Sequence, residues 1–197
     1  MAHMPIGERR EQLIDAAIRV ISREGMAGAT TRKIAEQAGA PLASLHYSFA
    51  DKEELFSAVI AHGVDQTYWR VAQRASEPDG GLRTAVAGYL EMFRDWALAD
   101  PDLMGAQYAL LTWLLRTDRK AEAEDVYQRY FDGLQPVLLA AATENEQDVD
   151  LQKLARLATG AADGMILQLI SLGAPALKGI AALDVADGLI HVARAGN

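Results

Sequence analysis

The side chains best suited to chemistry in this sequence are cationic and hydrogen-bonding groups gathered between residues 31 and 52. Arg32 carries a planar fork of donors that matches the O6 and N7 atoms of guanine, and equally a phosphate. Lys52 carries a compact positive charge suited to phosphate oxygens. The same stretch contains hydroxyl, imidazole and phenol groups at Thr31, Ser44, His46 and Tyr47. Groups of these types bind anions and the edges of nucleic-acid bases, so they indicate binding of a partner and not catalysis.

No pattern typical of a catalytic or metal site accompanies them. The absence of cysteine excludes disulfides, thiol catalysis and cysteine-ligated metals. The four histidines are scattered, at His3, His46, His62 and His191. The sequence has no His-Glu-x-x-His, no phosphate-binding glycine-rich loop and no Gly-x-Ser-x-Gly. We therefore expect no catalytic residue, no metal and no cofactor, and an α-helical enzyme is the disfavoured alternative.

Composition indicates an ordinary globular protein. The chain has 197 residues, of which half are hydrophobic and 23% are charged, a balance that excludes a disordered chain. No apolar stretch approaches the roughly 20 residues needed to cross a bilayer. Charged residues at 8–11 come without an apolar segment, which argues against a signal peptide. We expect a cytoplasmic protein without a membrane partner.

The net charge of −8 argues at first against a nucleic-acid partner, but its distribution does not. Residues 1–52 contain seven Lys/Arg and six Asp/Glu, whereas residues 53–197 contain twelve and twenty-one. The acidity therefore lies outside the amino-terminal segment, which remains able to face an anion.

Helical periodicity predicts the elements that position these groups. A first helix has an apolar face made by Leu13, Ile14, Ala17, Ile18 and Ile21 and should stop at Gly25. Further helices are predicted at about 31–38, 41–47, 51–75, 82–99, 102–117, 120–142, 150–173 and 182–195. Thr30 and Asp51 are the expected caps of two of them, and Pro136 should kink or break another. Because no convincing strand is present, the predicted fold class is all-α with about nine helices.

The two short helices after residue 30 have the spacing of a helix-turn-helix. Ala35 leaves room for the second helix, Gly39 supplies a left-handed turn residue, and Leu45 is expected to face Ile34 in the core. This leaves an outer face at Leu42, Ala43, Ser44, His46 and Tyr47, where a major groove would lie. Considered alone, the spacing is also compatible with a helical hairpin that has no role at DNA.

Residues 30–55 read TTRKIAEQAGAPLASLHYSFADKEEL. This stretch resembles the DNA-binding signature of the TetR family of bacterial transcription regulators, with similarity from about residue 10 to 56. The resemblance implies a three-helix helix-turn-helix DNA-binding domain at residues 5–50 and a helical effector-binding and dimerisation domain at 51–197. It also implies a homodimer on a palindromic double-stranded DNA operator, and most simply a repressor released by a small, largely apolar effector. A carrier or structural bundle with a vestigial helix-turn-helix is the remaining alternative.

Some positions depart from the family pattern. Ala40 stands in the turn where valine is usual, and the aromatic order at His46 and Tyr47 differs from the common one. Leu42 and Ala43 offer no hydrogen bonds, so base reading there would be apolar, for example to a thymine methyl group. The operator sequence is therefore not predicted by the resemblance.

The resemblance also implies roles for individual DNA-facing residues. Lys52 would bind phosphate at the start of its helix, although a solvated surface lysine is the plain alternative. Arg32 would read guanine, with a phosphate contact about equally plausible, and Thr31 would combine helix capping with a phosphate contact. The remaining candidates for contacts with base edges or backbone are Leu42, Ala43, Ser44, His46 and Tyr47.

The carboxy-terminal body carries the other two predicted sites. Aromatic residues are concentrated in it, and the candidates for an effector pocket between helices 51–75 and 102–131 are Trp69, Phe93, Trp96, Tyr108 and Trp113. Asp163 and Gln168 are possible polar contacts of the effector. Small and apolar residues on the last two long helices predict the dimer interface at Gly160, Gly164 and Leu189, with intramolecular packing as the alternative.

Overall fold

The computed structural model describes residues 6–74 and 80–194, without the side chains of residues 6, 68, 69 and 72–74. The helices are α1 (Ile6–Gly28), α2 (Thr31–Gln37), α3 (Leu42–Ser48), α4 (Lys52–Arg74), α5 (Gly81–Ala99), α6 (Pro101–Arg116), α7 (Lys120–Ala141), α8 (Leu151–Leu172) and α9 (Ala182–Ala193). Two short 3₁₀ turns occur at Glu144–Glu146 and Ala174–Leu177. Across these described ranges the only β-type pairing is an isolated bridge between Val149 and Arg194, which confirms the all-α fold class.

Local signals explain where the first helices end. Gly25 takes a φ of 68°, which interrupts the helical geometry of α1 where the sequence predicts a stop, and a last turn then continues to Gly28. The side chain of Thr30 accepts a hydrogen bond from the backbone amide of Lys33 at 3.3 Å, so it is the expected cap of α2.

The first compact unit contains the described residues up to Asp65 together with Asp102–Glu124. Within it α1 packs against α2 and α3. Its core includes the fully buried side chains of Leu13, Ile21, Ile34, Leu45 and Phe49. This unit is larger than the segment 5–50, because it also takes in the first half of α4, nearly all of α6 and the start of α7. A functional boundary at residue 50 stays a prediction.

The second compact unit contains Gln66–Pro101 and the described residues from Asp125 onward. Within it α5 packs against both α8 and α9, which also contact each other. Deep in this unit the hydroxyl groups of Tyr89 and Thr159 lie 3.3 Å apart, so each buried polar group has a partner.

Pro136 does not break its helix, since α7 continues through it to Ala141. Proline removes one backbone donor and leaves the carbonyl group of residue 132 without its helical partner. Both Pro136 and Asp132 are exposed. Water can therefore take the place of the missing donor at low cost.

No described helix is long and apolar enough to cross a membrane.

Candidate nucleic-acid interface

The turn between α2 and α3 has the tight geometry that the residue spacing predicts. Gly39 adopts a φ of 60°, a conformation in which a side chain would be strained. The amide of Gly39 donates to the carbonyl oxygen of Glu36 at 3.0 Å, and that of Ala40 donates to Ala35 at 2.9 Å. Ala35 and Leu45 are buried. The sides of α2 and α3 that carry Ala35 and Leu45 are therefore packed in the core, and the opposite side of α3 is exposed to solvent.

The outer face of α3 carries the residues predicted for DNA contact. Tyr47 is 78% exposed and Leu42 41% exposed, which are large fractions for an aromatic and an aliphatic side chain. Ala43 and His46 are also exposed, and Ser44 is half-buried. Burial in the core does not account for these side chains, so they are available to a partner.

Arg32 lies on α2 with 82% of its side chain exposed. Its Nε donates to the Oε1 atom of Glu36 at 3.0 Å, one turn further along the helix. Such exposed pairs are worth about 0.3–0.5 kcal/mol, so a base or phosphate can displace Glu36 easily. Thr31, at the first position of the same helix, is half-buried.

The start of α4 is fixed by two acidic side chains. The carboxylate of Asp51 accepts from the backbone amide of Glu54 at 2.7 Å, which confirms Asp51 as the cap. Glu54 accepts in turn from the amide of Ala50 at 2.7 Å, one residue earlier than in a standard capping box. Lys52, the first residue of α4, is half-buried with its ammonium nitrogen 5.0 Å from the centroid of the Phe56 ring.

Arg10 forms a clamp on the motif that the sequence reading missed. Its guanidinium group lies 4.1 Å from the centroid of the Phe49 ring, pairs with Glu54 at 3.2 Å and donates to the carbonyl oxygen of Ser48. The hydrogen bond from Ala50, followed by that from Arg10, holds the pKa of Glu54 below its ordinary value. In the sequence, this pair is visible only as one cation in the first helix and one acid in the first turn of α4, 44 residues apart, and that separation does not indicate a contact. The clamp joins α1 to the end of α3 and the start of α4.

Two effector candidates meet in the second unit. Phe93 and Trp96 are both buried, with ring centroids 6.1 Å apart, and Phe93 also meets Tyr89 edge-on at 5.0 Å. The guanidinium group of Arg70 lies 4.7 Å from the centroid of the Trp96 ring. The side chain of Trp69, a further candidate, lies outside the described residues.

Two other effector candidates lie on α6 in the first unit, and both are half-buried. Trp113 meets Phe56 edge-on at 5.5 Å, and the guanidinium group of Arg119 lies 4.8 Å from the centroid of the Trp113 ring. Tyr108 lies a little more than one turn earlier on the helix. These contacts give Trp113 a packing role in its own unit, and its role at an effector stays a prediction.

Asp163 lies among tyrosines in the second unit. The hydroxyl group of Tyr127 donates to its Oδ2 atom at 2.9 Å. Burial, and then the negative charge and hydrogen bond of Asp163, raise the pKa of Tyr127 above its ordinary value. Burial also raises the pKa of Tyr130 to about 12, with Thr67 as a hydrogen-bond partner. This carboxylate and these phenols form a polar cluster inside an otherwise aromatic region.

The predicted dimer residues are accessible on the second unit. Gly160 is exposed, and Gly164 and Leu189 are half-buried. A Cβ atom added at either glycine would meet no atom within 4 Å, so neither glycine is needed for close packing inside the described chain. Ile166 and Leu169 are buried within the unit, so intramolecular packing accounts for them.

Among the residues that the structure describes, no group of three His, Asp or Glu side chains is arranged to hold a metal ion.

Comparisons with known proteins agree with this architecture. Residues 13–59 match the model of the family described as bacterial regulatory proteins, tetR family. The chain is 33% identical over 162 residues to the HTH-type nicotine-responsive transcriptional repressor HdnoR of Paenarthrobacter nicotinovorans, covering 82% of this chain and 83% of that one.

Solved structures show the same fold across nearly the whole chain. A TetR family member from Streptomyces coelicolor A3 superposes with a TM-score of 0.74 at 26% identity, over 93% of this chain and 98% of that one. The multidrug binding protein EbrR complexed with ethidium superposes with a TM-score of 0.68 at 27% identity, over 95% and 100%. The helix-turn-helix, the match of the family model and a relative similar over four-fifths of the chain agree, and the chain belongs to the TetR family of bacterial regulatory proteins.

Proposed function

We propose that this transcriptional regulator binds a palindromic double-stranded DNA operator as a homodimer and is released from it by a small, largely apolar effector. DNA binding is proposed chiefly from the outer face of α3, where Tyr47 and Leu42 are exposed. Aromatic and aliphatic side chains of this size are usually buried. Exposed residues on the second helix of a helix-turn-helix are those that enter a major groove.

Charge supports the same placement. Arg32 and Lys52 lie at the starts of α2 and α4, where free backbone amides also favour anions. In this proposal Lys52 and Thr31 bind phosphates, Arg32 reads a base edge, and Ser44, His46 and Tyr47 contact base edges or backbone. Leu42 and Ala43 supply apolar contacts in the groove.

The dimer is proposed from an exposed apolar surface on α8 and α9. Leu167 and Ile170 on α8 and Leu183 and Val192 on α9 are exposed although they are large and apolar. Large apolar side chains exposed on two helices that contact each other suit an interaction site. Gly160 and Gly164 would allow a partner helix to approach closely, and a two-fold protein matches a palindromic operator.

Repression and an effector are proposed from relatives. HdnoR is named a nicotine-responsive repressor, and EbrR has been crystallised with imidazole, ethidium and malachite green. Aromatic side chains such as Phe93 and Trp96 would suit the apolar ring system of an effector. A coupling free energy of about 1–3 kcal/mol between effector and operator would change operator affinity roughly 5–150-fold.

The test is selection of genomic DNA fragments by the purified protein, followed by sequencing. We expect enrichment of short inverted repeats. Tyr47→Ala should lose that enrichment, whereas substitution of an exposed leucine away from the motif, Leu139→Ala, should keep it. Absence of any enriched sequence would contradict operator binding, and enrichment of single half-sites would contradict the dimer.

A further inference from the structure

The last turn of α3 depends on a side chain from another helix. A helix cannot pair its final carbonyl groups within its own hydrogen-bond ladder. In α3 that ladder ends at Phe49, whose backbone is extended and whose amide donates to the carbonyl oxygen of Leu45 at 2.9 Å. The carbonyl oxygen of Ser48, the last residue of α3, accepts instead from the guanidinium group of Arg10 on α1. One end of α3 is therefore held by α1.

The same guanidinium group also holds the two segments that follow α3. Its Cζ atom lies 4.1 Å from the centroid of the buried Phe49 ring. Both terminal nitrogen atoms lie 3.2 Å from the Oε1 atom of Glu54, in the first turn of α4. The other carboxylate oxygen of Glu54 accepts from the amide of Ala50 at 2.7 Å. A planar guanidinium fork can bind an acid and a carbonyl oxygen while its face stacks on a ring, which a lysine ammonium cannot do.

Few other contacts fix the direction of α3. The helix has seven residues, of which only Leu45 and Ser48 are buried, and its N-cap, Pro41, makes no side-chain cap hydrogen bond. A helix this short is not stable alone and takes its position from its contacts with neighbours. The Arg10 clamp acts at the end of α3 that carries the exposed Tyr47.

We propose that Arg10 is a positioning residue for DNA recognition, which sets the direction of α3 relative to the first turn of α4 without contacting DNA itself. The inference rests on the proposed function, in which side chains of α3 contact base edges. Hydrogen bonds to base edges weaken steeply when their distance or angle is wrong. The attraction between a cation and a phosphate falls off gradually with distance. Loss of the clamp should therefore reduce affinity for the operator more than affinity for random DNA.

The alternative is that Arg10 binds a phosphate directly, since 37% of its side chain is exposed. A phosphate contact would strengthen binding to operator and random DNA equally, and would add about one to the magnitude of the salt slope. The contacts favour the positioning role, because the terminal nitrogen atoms of Arg10 would have to leave Ser48 and Glu54 to reach a phosphate.

The double variant Arg10→Met/Glu54→Gln tests the clamp at constant net charge. Methionine keeps an unbranched apolar side chain beside Phe49 but has no donors, and glutamine can still accept from the amide of Ala50. Fluorescence anisotropy on the full chain would measure binding to an operator duplex obtained by selection and to a scrambled duplex, at several salt concentrations. We expect operator affinity to fall about tenfold or more, as for one misplaced base contact, with random-DNA affinity and salt slope close to those of the parent.

Two results would overturn the proposal. Unchanged operator affinity would show that the clamp does not position α3 for DNA. Equal losses on the two duplexes, with a smaller salt slope, would make Arg10 a phosphate contact.

Two further variants separate guanidinium geometry from charge. Arg10→Lys keeps the charge, and we expect it to recover only part of the discrimination between the duplexes, because one ammonium nitrogen cannot replace the fork. Full discrimination in Arg10→Lys would contradict the need for the fork. Arg19→Met removes an exposed arginine from the same helix and should discriminate like the parent.

Thermal unfolding of each variant sets a binding temperature at which all are folded, so that lost discrimination does not report unfolding. If the double variant does not fold, Arg10→Lys decides the question by the same criterion. A parent that enriches no inverted repeat would contradict the proposed function. A parent that enriches an operator, together with clamp variants that discriminate equally well, would contradict only the role of Arg10.

Discussion

The ammonium nitrogen of Lys52 lies 5.0 Å from the centroid of the Phe56 ring, about one turn further along α4. Phe56 is buried, and its ring meets Trp113 edge-on at 5.5 Å. A cation over an aromatic face is attracted by the ring quadrupole, which restricts where the lysine side chain can go. Lys52 is therefore held at the amino-terminal end of α4, where free backbone amides also favour an anion.

Lys52→Ala should weaken binding to every DNA sequence by a similar factor, because a phosphate contact carries no base information. The slope of log K against log salt should fall in magnitude by about one, which titrations at several salt concentrations would measure. Lys120→Ala is the matched control, since Lys120 is an exposed lysine at the start of α7, 3.8 Å from Glu124. An unchanged salt slope in Lys52→Ala would contradict the phosphate role.

Arg32→Ala should reduce discrimination between the operator and random DNA by about 1–3 kcal/mol if the fork reads guanine. Glu36→Gln removes the acid that holds Arg32 at 3.0 Å, and should strengthen DNA binding by freeing that fork and by removing a negative charge. Competition binding with operator and random duplexes measures both effects. Equal losses on the two duplexes for Arg32→Ala would remove this arginine from the base readers.

Gly164→Arg should weaken the dimer, because the added side chain and charge would project into the surface proposed for the partner helix. Gly160→Arg is the companion variant, since Gly160 is an exposed glycine about one turn earlier on the same helix. Sedimentation of the parent should show a dimer at micromolar concentration, and both variants should shift toward the monomer. A monomeric parent, or variants that sediment like a dimeric parent, would count against this interface.

Tyr108→Ala should reduce the potency of an effector found by operator-release screening, while operator affinity without effector stays nearly unchanged. Trp113→Ala should do the same, but loss of its contact with Phe56 should also lower the thermal midpoint. Leu115→Ala, an exposed position on the same helix, is the control. Parent-like responses to the effector in both aromatic variants would place the pocket elsewhere.

Effector binding should also change tryptophan emission, since three tryptophans lie between residues 69 and 113. A ligand that binds without changing operator affinity would contradict the allosteric mechanism, because equal affinity for two states shifts no population.

Glu54 predicts a pH dependence of stability. Its folded-state pKa lies below the ordinary value of 4.5, since Ala50 and Arg10 donate hydrogen bonds to the carboxylate. Ionised Glu54 therefore adds to the free energy of unfolding at pH values above the pKa that it has in the unfolded chain. This addition is lost as the pH falls through its lower pKa in the folded protein. Glu54→Gln should make the thermal midpoint less sensitive to pH between about pH 5 and 3. Glu53→Gln, an exposed neighbour, should keep the dependence of the parent.

Helix positions in this protein follow from the local sequence. The predicted span 51–75 becomes Lys52–Arg74, and the predicted 150–173 becomes Leu151–Leu172. Caps and breakers act through hydrogen bonds and φ angles within a few residues, as at Thr30 and Gly39, so periodicity and turn chemistry are sufficient. The split between the inner and outer sides of α3 follows from spacing for the same reason.

Tertiary packing alone decided which apolar and charged residues meet. Ile166, Leu169 and Ile170 are similar apolar residues in the sequence, yet only Ile170 is exposed. The reason is that α5 and α9 pack against one side of α8 and bury the residues on that side. Arg10 and Glu54 are 44 positions apart, and no local rule pairs them. The pocket of about 310 Å³ lined by Leu90, Met165 and Val185 arises where α5, α8 and α9 converge, so its volume depends on distances that only the folded chain sets.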